Sequence, residues 1–164
     1  MNNDRVVRDQ LIALLRGGNA HLGFDNAVAD FPLEYVNSKA PNLTYTPWHI
    51  LEHMRIAQRD ILEFIRDPDH VSPSWPDGYW PTPNTLANEA QWKKTIADFR
   101  NDLKALQELV ANPGTDLSAP IPHAPDYTIF REILVVADHN AYHVGEFAGL
   151  RQVMATWPAG RGGF

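Results

Sequence analysis

Apolar residues recur along this 164-residue chain at helical spacing in four blocks, and clusters of Pro and Gly separate the blocks. The first block covers Asp4 to Arg16 and sets Val7, Leu11, Leu14 and Leu15 on one side. Gly17-Gly18 interrupts it, and a second piece from Asn19 to Asp30 follows with Leu22, Phe24 and Val28. The pattern therefore predicts a first helix that is kinked or split. After a Pro-spiked stretch from Pro32, Thr46 is a suitable N-cap and Pro47 suits the first helical position. The helix so begun runs to Arg66, where Asp67-Pro68 stops it. A long irregular connection, Pro68 to Pro83, holds Trp75, Tyr79 and Trp80. Connections of this length are functional or span distant helix ends, and these aromatics need something to pack on.

The third helix is predicted over Asn84 to Asn112, with Leu86, Trp92, Ile96, Phe99, Leu103, Leu106 and Val110 in phase. Pro113-Gly114 ends it, and the last helix is predicted over Thr128 to Ala155. No segment alternates apolar and polar residues well enough for a sheet strand, although Ala119 to Ala124 suits a short extended piece. The expected fold is all-α, a four-helix bundle forming a single domain over residues 1–164.

Composition narrows the chemistry. Hydrophobic residues make up 44% and charged residues 21%, as in ordinary globular proteins. There are no cysteines, which removes disulfides, thiolate metal sites and any sulfur nucleophile carried by the chain. A net charge of −6 without a Lys/Arg cluster argues against a nucleic-acid partner. No apolar run reaches the roughly 18 residues of a membrane span. Met1-Asn2-Asn3-Asp4-Arg5 leads straight into a charged amphipathic segment, so no leader is expected and the location is expected to be cytoplasmic.

The seven histidines then become the main candidates for metal chemistry. His139 and His143 are four apart on the last helix, and His49 and His53 are four apart on the second. Residues so spaced sit on one helical face one turn apart. This composition supplies roughly a quarter of such a pair by chance, so two pairs inside strong helices carry weight. With His139 at zero, Val135, His143 and Leu150 all fall within about 40° of it. Ala57, Phe64 and Ile50 lie within about 60° of His53. His53, His139 and His143 therefore face inward. Three buried imidazoles would each need a polar partner, whereas one shared cation serves all three. His49, a turn from its helix start, is a candidate wall residue or optional ligand. His70 and His123 fall in connections and are expected at the surface, while His21 and Asp60 are weaker site candidates.

Known alternatives fit poorly. His139-Asn-Ala-Tyr-His143 lacks the Glu that a metalloprotease helix uses as base. There is no Glu-x-x-His pair for a ferritin-like di-iron centre.

The blocks Thr46-Pro-Trp-His-Ile-Leu-Glu-His53-Met-Arg-Ile-Ala-Gln58 and Arg131-Glu-Ile-Leu-Val-Val-Ala-Asp-His139-Asn-Ala-Tyr-His143-Val-Gly resemble the DinB-like (DinB/YfiT-like) superfamily of bacterial four-helix proteins. The resemblance extends from Leu11 to Trp157. It implies an up-down-down-up bundle with a long crossover, homodimers, and a divalent metal, most often zinc or nickel, on His53, His139 and His143. Relatives include thiol-dependent transferases and isomerases that use bacillithiol, mycothiol or glutathione.

Three histidine ligands leave a coordination position open, the catalytic pattern, though ligand type alone does not select the metal. Two reactions suit it. A bound low-molecular-weight thiol would ionise at neutral pH and attack an electrophile, or a bound water would be activated for hydrolysis. The third expectation is a non-catalytic bundle that binds a metal or small molecule in a stress response. Glu146 and Glu132 lie within about 20° of His139 on the helical wheel and are candidates for base, fourth ligand or imidazole-orienting partner. Tyr142 points about 100° away and is expected to pack in the core or an interface. Trp48, Trp75 and Trp80 are candidates to wall a pocket or to anchor core and loops.

Overall fold

The computed structural model describes residues 3–160. Met1-Asn2, on which the leader expectation partly rests, and the last four residues of the 1–164 span lie outside the described residues. Four long helices dominate: α1 (Asn3–Arg16), α3 (Pro47–Arg66), α4 (Glu89–Ala111) and α5 (Ile129–Val153), with a short α-helix, α2 (Phe24–Val28), and single 3-10 turns at Leu33–Tyr35 and Asp77–Tyr79. A hairpin of β1 (Pro120–Ile121) and antiparallel β2 (Ala124–Thr128) precedes α5. Among the described residues no helix is long and apolar enough to cross a membrane.

Helix directions follow from which residues meet. Along α3 and α4, Trp48 meets Thr95, Gln58 meets the Phe99 carbonyl and Arg59 meets Asp102, so the two numberings rise together. Along α3 and α5, His53 meets His143 and Gln58 meets Asn140, so those numberings run in opposition. Arg8 reaches Val110, whereas Arg16 and Leu103 line one depression, which makes α1 antiparallel to α4. The result is the up-down-down-up bundle, and α3 and α4, being parallel neighbours, require a return of the chain along the bundle's full length.

Local chemistry places the helix ends. Thr46 caps α3 by accepting from the His49 N–H at 3.2 Å, with Pro47 at the first helical position. The third long helix starts at Glu89 rather than Asn84. Asn88 caps the Gln91 N–H and Gln91 returns a bond to the Asn88 N–H, so the capping box overrides the apolar phase and leaves Leu86 65% exposed. Of the piece expected over Asn19–Asp30, only Phe24–Val28 is helical.

Two buried arginines tie helix ends to neighbours. Arg8 donates to the carbonyls of Val110, Asn112 and Thr115 at the end of α4. Arg151, fully buried, donates to those of Ala27 and Ala29 at the end of α2 and to that of Thr156 just beyond the end of α5. Each supplies a cation and several donors to carbonyls that lack intrahelical partners. Apolar residues fill two layers, one around Met54, Phe99 and Phe147, the other around Leu62, Leu106 and Ile133.

Candidate metal centre

His53 comes from the middle of α3, His139 and His143 from the middle of α5, and the antiparallel crossing of those helices brings them into one layer. The Nε2 atom of His53 lies 3.1 Å from that of His143 and 3.1 Å from that of His139. One ligand atom from each of the three lies within 4.8 Å of the others, so the cluster could hold a metal ion. His53 and His143 are buried and His139 is partly exposed.

The outer ring nitrogens explain why a cation fits. His53 Nδ1 donates to the Tyr79 carbonyl at 2.9 Å. His143 Nδ1 donates to Glu146 Oε2 at 2.7 Å. Each Nδ1 thus carries the proton in the neutral imidazole, which leaves a lone pair on each Nε2. Those two lone pairs face one another at 3.1 Å. Only a shared proton or a cation reconciles that contact. Tetrahedral zinc with bonds of about 2.0–2.1 Å sets its nitrogens roughly 3.3 Å apart, close to the separation seen here.

Electrostatics agree with the geometry. Burial pushes His139 down to about 4, helped by its proximity to His143 and His53. Burial likewise lowers His53, outweighing the Tyr79 carbonyl that favours its charged form. Both are therefore neutral near pH 7, the form that binds metals. Burial alone would raise the Glu146 carboxyl, but the hydrogen bonds from His143 and Tyr45 outweigh it and hold the group ionised. The Tyr45 hydroxyl donates to the other Glu146 oxygen, and burial together with that carboxylate raises its own pKa.

The crossover, residues 67–88, closes one side of the site. The Trp80 indole lies flat on the His53 ring, 3.9 Å between centroids at an interplanar angle of 3°. Tyr45 packs against Trp80 at 5.6 Å. Tyr142 is 70% exposed and sets its ring edge-on to His143 at 4.8 Å, so it is not a core residue.

Other candidates lie elsewhere. His49 accepts at Nδ1 from the Thr46 N–H and donates from Nε2 to the Thr85 carbonyl at 2.9 Å, so both ring nitrogens are used outside the cluster. Trp48 donates to Thr95, which in turn donates to Glu52, and so faces α4. Glu132 is buried two helical turns before His139 and binds Arg131 at 2.6 Å. His21 donates to the Leu22 carbonyl in the turn after α1. His123 is exposed and bonds the Phe64 carbonyl. His70, expected at the surface, is instead half-buried against Asp60, because the crossover folds back onto α3.

Sequence reasoning missed Tyr45 and Tyr79. Tyr45 sits just before the N-cap of α3, a position that signals helix entry and not chemistry. Tyr79 acts through its backbone carbonyl, which carries no signature of residue type.

The DinB superfamily profile matches residues 23–147. The chain belongs to the DinB superfamily. The matched span contains His53, His139, His143 and Glu146, and with them the whole candidate centre. Searches of curated proteins and of solved structures found no match.

Proposed function

We propose that this DinB-superfamily protein is a zinc- or nickel-dependent transferase of a low-molecular-weight thiol. The observation that carries the metal part is the approach of the His53 and His143 Nε2 atoms at 3.1 Å with both Nδ1 positions committed as donors. A divalent cation bound there would supply ionisation of an external thiol at neutral pH. The absence of cysteine from the chain suits a nucleophile that arrives with a cosubstrate.

The chain's own residues divide the remaining work. His53, His139 and His143 would hold the cation, and His139 is the partly exposed member of the three. Glu146 orients His143 and stays ionised, and with both oxygens engaged it acts as a positioning group instead of a general base. Trp80 excludes water from one face of His53.

The decisive experiment starts with elemental analysis and Zn²⁺ titration of the wild type and the His139→Ala/His143→Ala variant. The metal reading predicts stoichiometric binding in the first and none in the second; equally empty proteins would sink it. The loaded protein is then assayed with bacillithiol, mycothiol or glutathione and a model electrophile. Saturable, His53-dependent thiol consumption is expected. Turnover of an ester with no thiol requirement would replace this reading by hydrolysis, and no turnover of either by a binding role.

A further inference from the structure

The crossover retraces α3 in reverse. His70 meets Asp60, Tyr79 and Trp80 meet His53, and Thr85 meets His49. One group fastens this path at two points. The buried Asp60 carboxylate accepts from His70 Nε2 at 2.7 Å on one oxygen and from the Tyr79 hydroxyl at 2.6 Å on the other. Asp60 lies two helical turns from His53, about 10 Å along the axis, too far to touch a cation held by the three Nε2 atoms. Yet Tyr79 is bound at both ends, its hydroxyl to Asp60 and its carbonyl to His53 Nδ1. The next residue, Trp80, is the one stacked on His53.

We propose that Asp60 is a positioning residue that pins the crossover to α3 and thereby sets the tautomer and ring cover of His53. Pinning at His70 and Tyr79 closes a short segment and removes most of its freedom. The Tyr79 carbonyl then meets His53 at a fixed point, and the Nε2 lone pair stays directed at the cluster. The effect on metal affinity rests on the metal reading above; the effect on His53 itself does not.

Long-range ¹H–¹⁵N correlation of the metal-free chain reads the His53 tautomer, and chelator competition reads Zn²⁺ affinity. Asp60→Ala and Tyr79→Phe are compared with Arg59→Ala, which loses ion pairs to Glu63 and Asp102 one residue away. In Asp60→Ala, His53 is expected to lose its single Nδ1–H form and Zn²⁺ affinity to drop about tenfold. Tyr79→Phe keeps the carbonyl and follows in the same direction, while Arg59→Ala retains the wild-type tautomer. If Asp60→Ala does not fold, Tyr79→Phe decides the matter. An unchanged His53 tautomer in the folded Asp60 and Tyr79 variants, or an equal change in Arg59→Ala, overturns the proposal. A wild type that binds no Zn²⁺ but whose His53 still responds to Asp60→Ala sinks the metal reading and supports the positioning role.

Discussion

The indole of Trp80 and the imidazole of His53 form a parallel stack, 3.9 Å between centroids and 3° between planes. His53 thus meets solvent on neither of its important sides: its Nε2 faces two other histidines and its ring is roofed by carbon. A cation bound at Nε2 would draw charge from the ring against which Trp80 lies. Zn²⁺ titration should therefore change tryptophan emission and reach an end point near one equivalent. Trp80→Phe, which leaves the other four tryptophans in place, should abolish most of that change. A signal of undiminished size in the variant would show that another indole reports it.

Glu146 bridges His143 and Tyr45, and its truncation separates two possible roles. As an orienting group, Glu146→Ala should weaken Zn²⁺ binding by roughly 10–100-fold, with Glu146→Gln in between because an amide oxygen still accepts from His143. Tyr45→Phe should shift affinity less than Glu146→Ala. If Glu146→Gln instead keeps full affinity and loses turnover, the carboxylate is a base and not an orienter. Isothermal titration beside a rate assay distinguishes these outcomes.

The metal-free protein should lose stability in mild acid. His139 has a folded-state pKa of about 4 against an ordinary 6.5, and His53 is lowered as well. Below pH 6.5 the unfolded chain takes up protons that the folded chain refuses, so these groups make stability fall as pH drops from 6.5 toward 4. Above pH 6.5 they contribute no slope. Glu146, whose pKa is lowered, adds a further loss once pH falls through the carboxylate range. Thermal melts at pH 7, 5.5 and 4.5 should show a decline on the order of several degrees. A melting temperature that holds or rises over that window would contradict the burial of neutral imidazoles.

Arg151 is the largest fully buried side chain in the described structure, and it caps three carbonyls from two segments. It also lies over the Trp157 ring at 3.9 Å. Arg151→Met preserves much of the volume but strands the carbonyls, which should cost on the order of 3 kcal/mol and lower the melting temperature by roughly 10 °C. Arg8→Met should behave alike but more mildly, because its carbonyl partners at Asn112 and Thr115 can turn to solvent. Urea denaturation measures both; a loss under about 1 kcal/mol for Arg151→Met would refute the capping account.

Helical phase is a local property, and it carried a large share of this protein's architecture. The spacing of Leu51, Met54, Leu62 and their counterparts on α4 and α5 marks the buried faces, and the same periodicity turns His53, His139 and His143 inward. Thr46-Pro47 and Asp67-Pro68 mark the ends of α3 because capping and proline geometry act within a few residues. Where two local signals competed, as at Leu86 against the Asn88 capping box, apolar phase alone put the helix start in the wrong place.

Only the tertiary structure decided how the histidines are held. Tyr79 and Trp80 are separated from His53 by more than twenty residues of chain, and Glu146 meets Tyr45 across a hundred. Such meetings depend on the path of the crossover, which no periodicity encodes. They are made partly by a backbone carbonyl that every residue possesses. His49 shows the same limit from the other side. Its four-residue spacing from His53 placed it among the candidates, yet the Thr46 cap and the Thr85 carbonyl use both of its nitrogens. Spacing along a helix says which side chains share a face; which of them share a ligand depends on what the rest of the chain brings to that face.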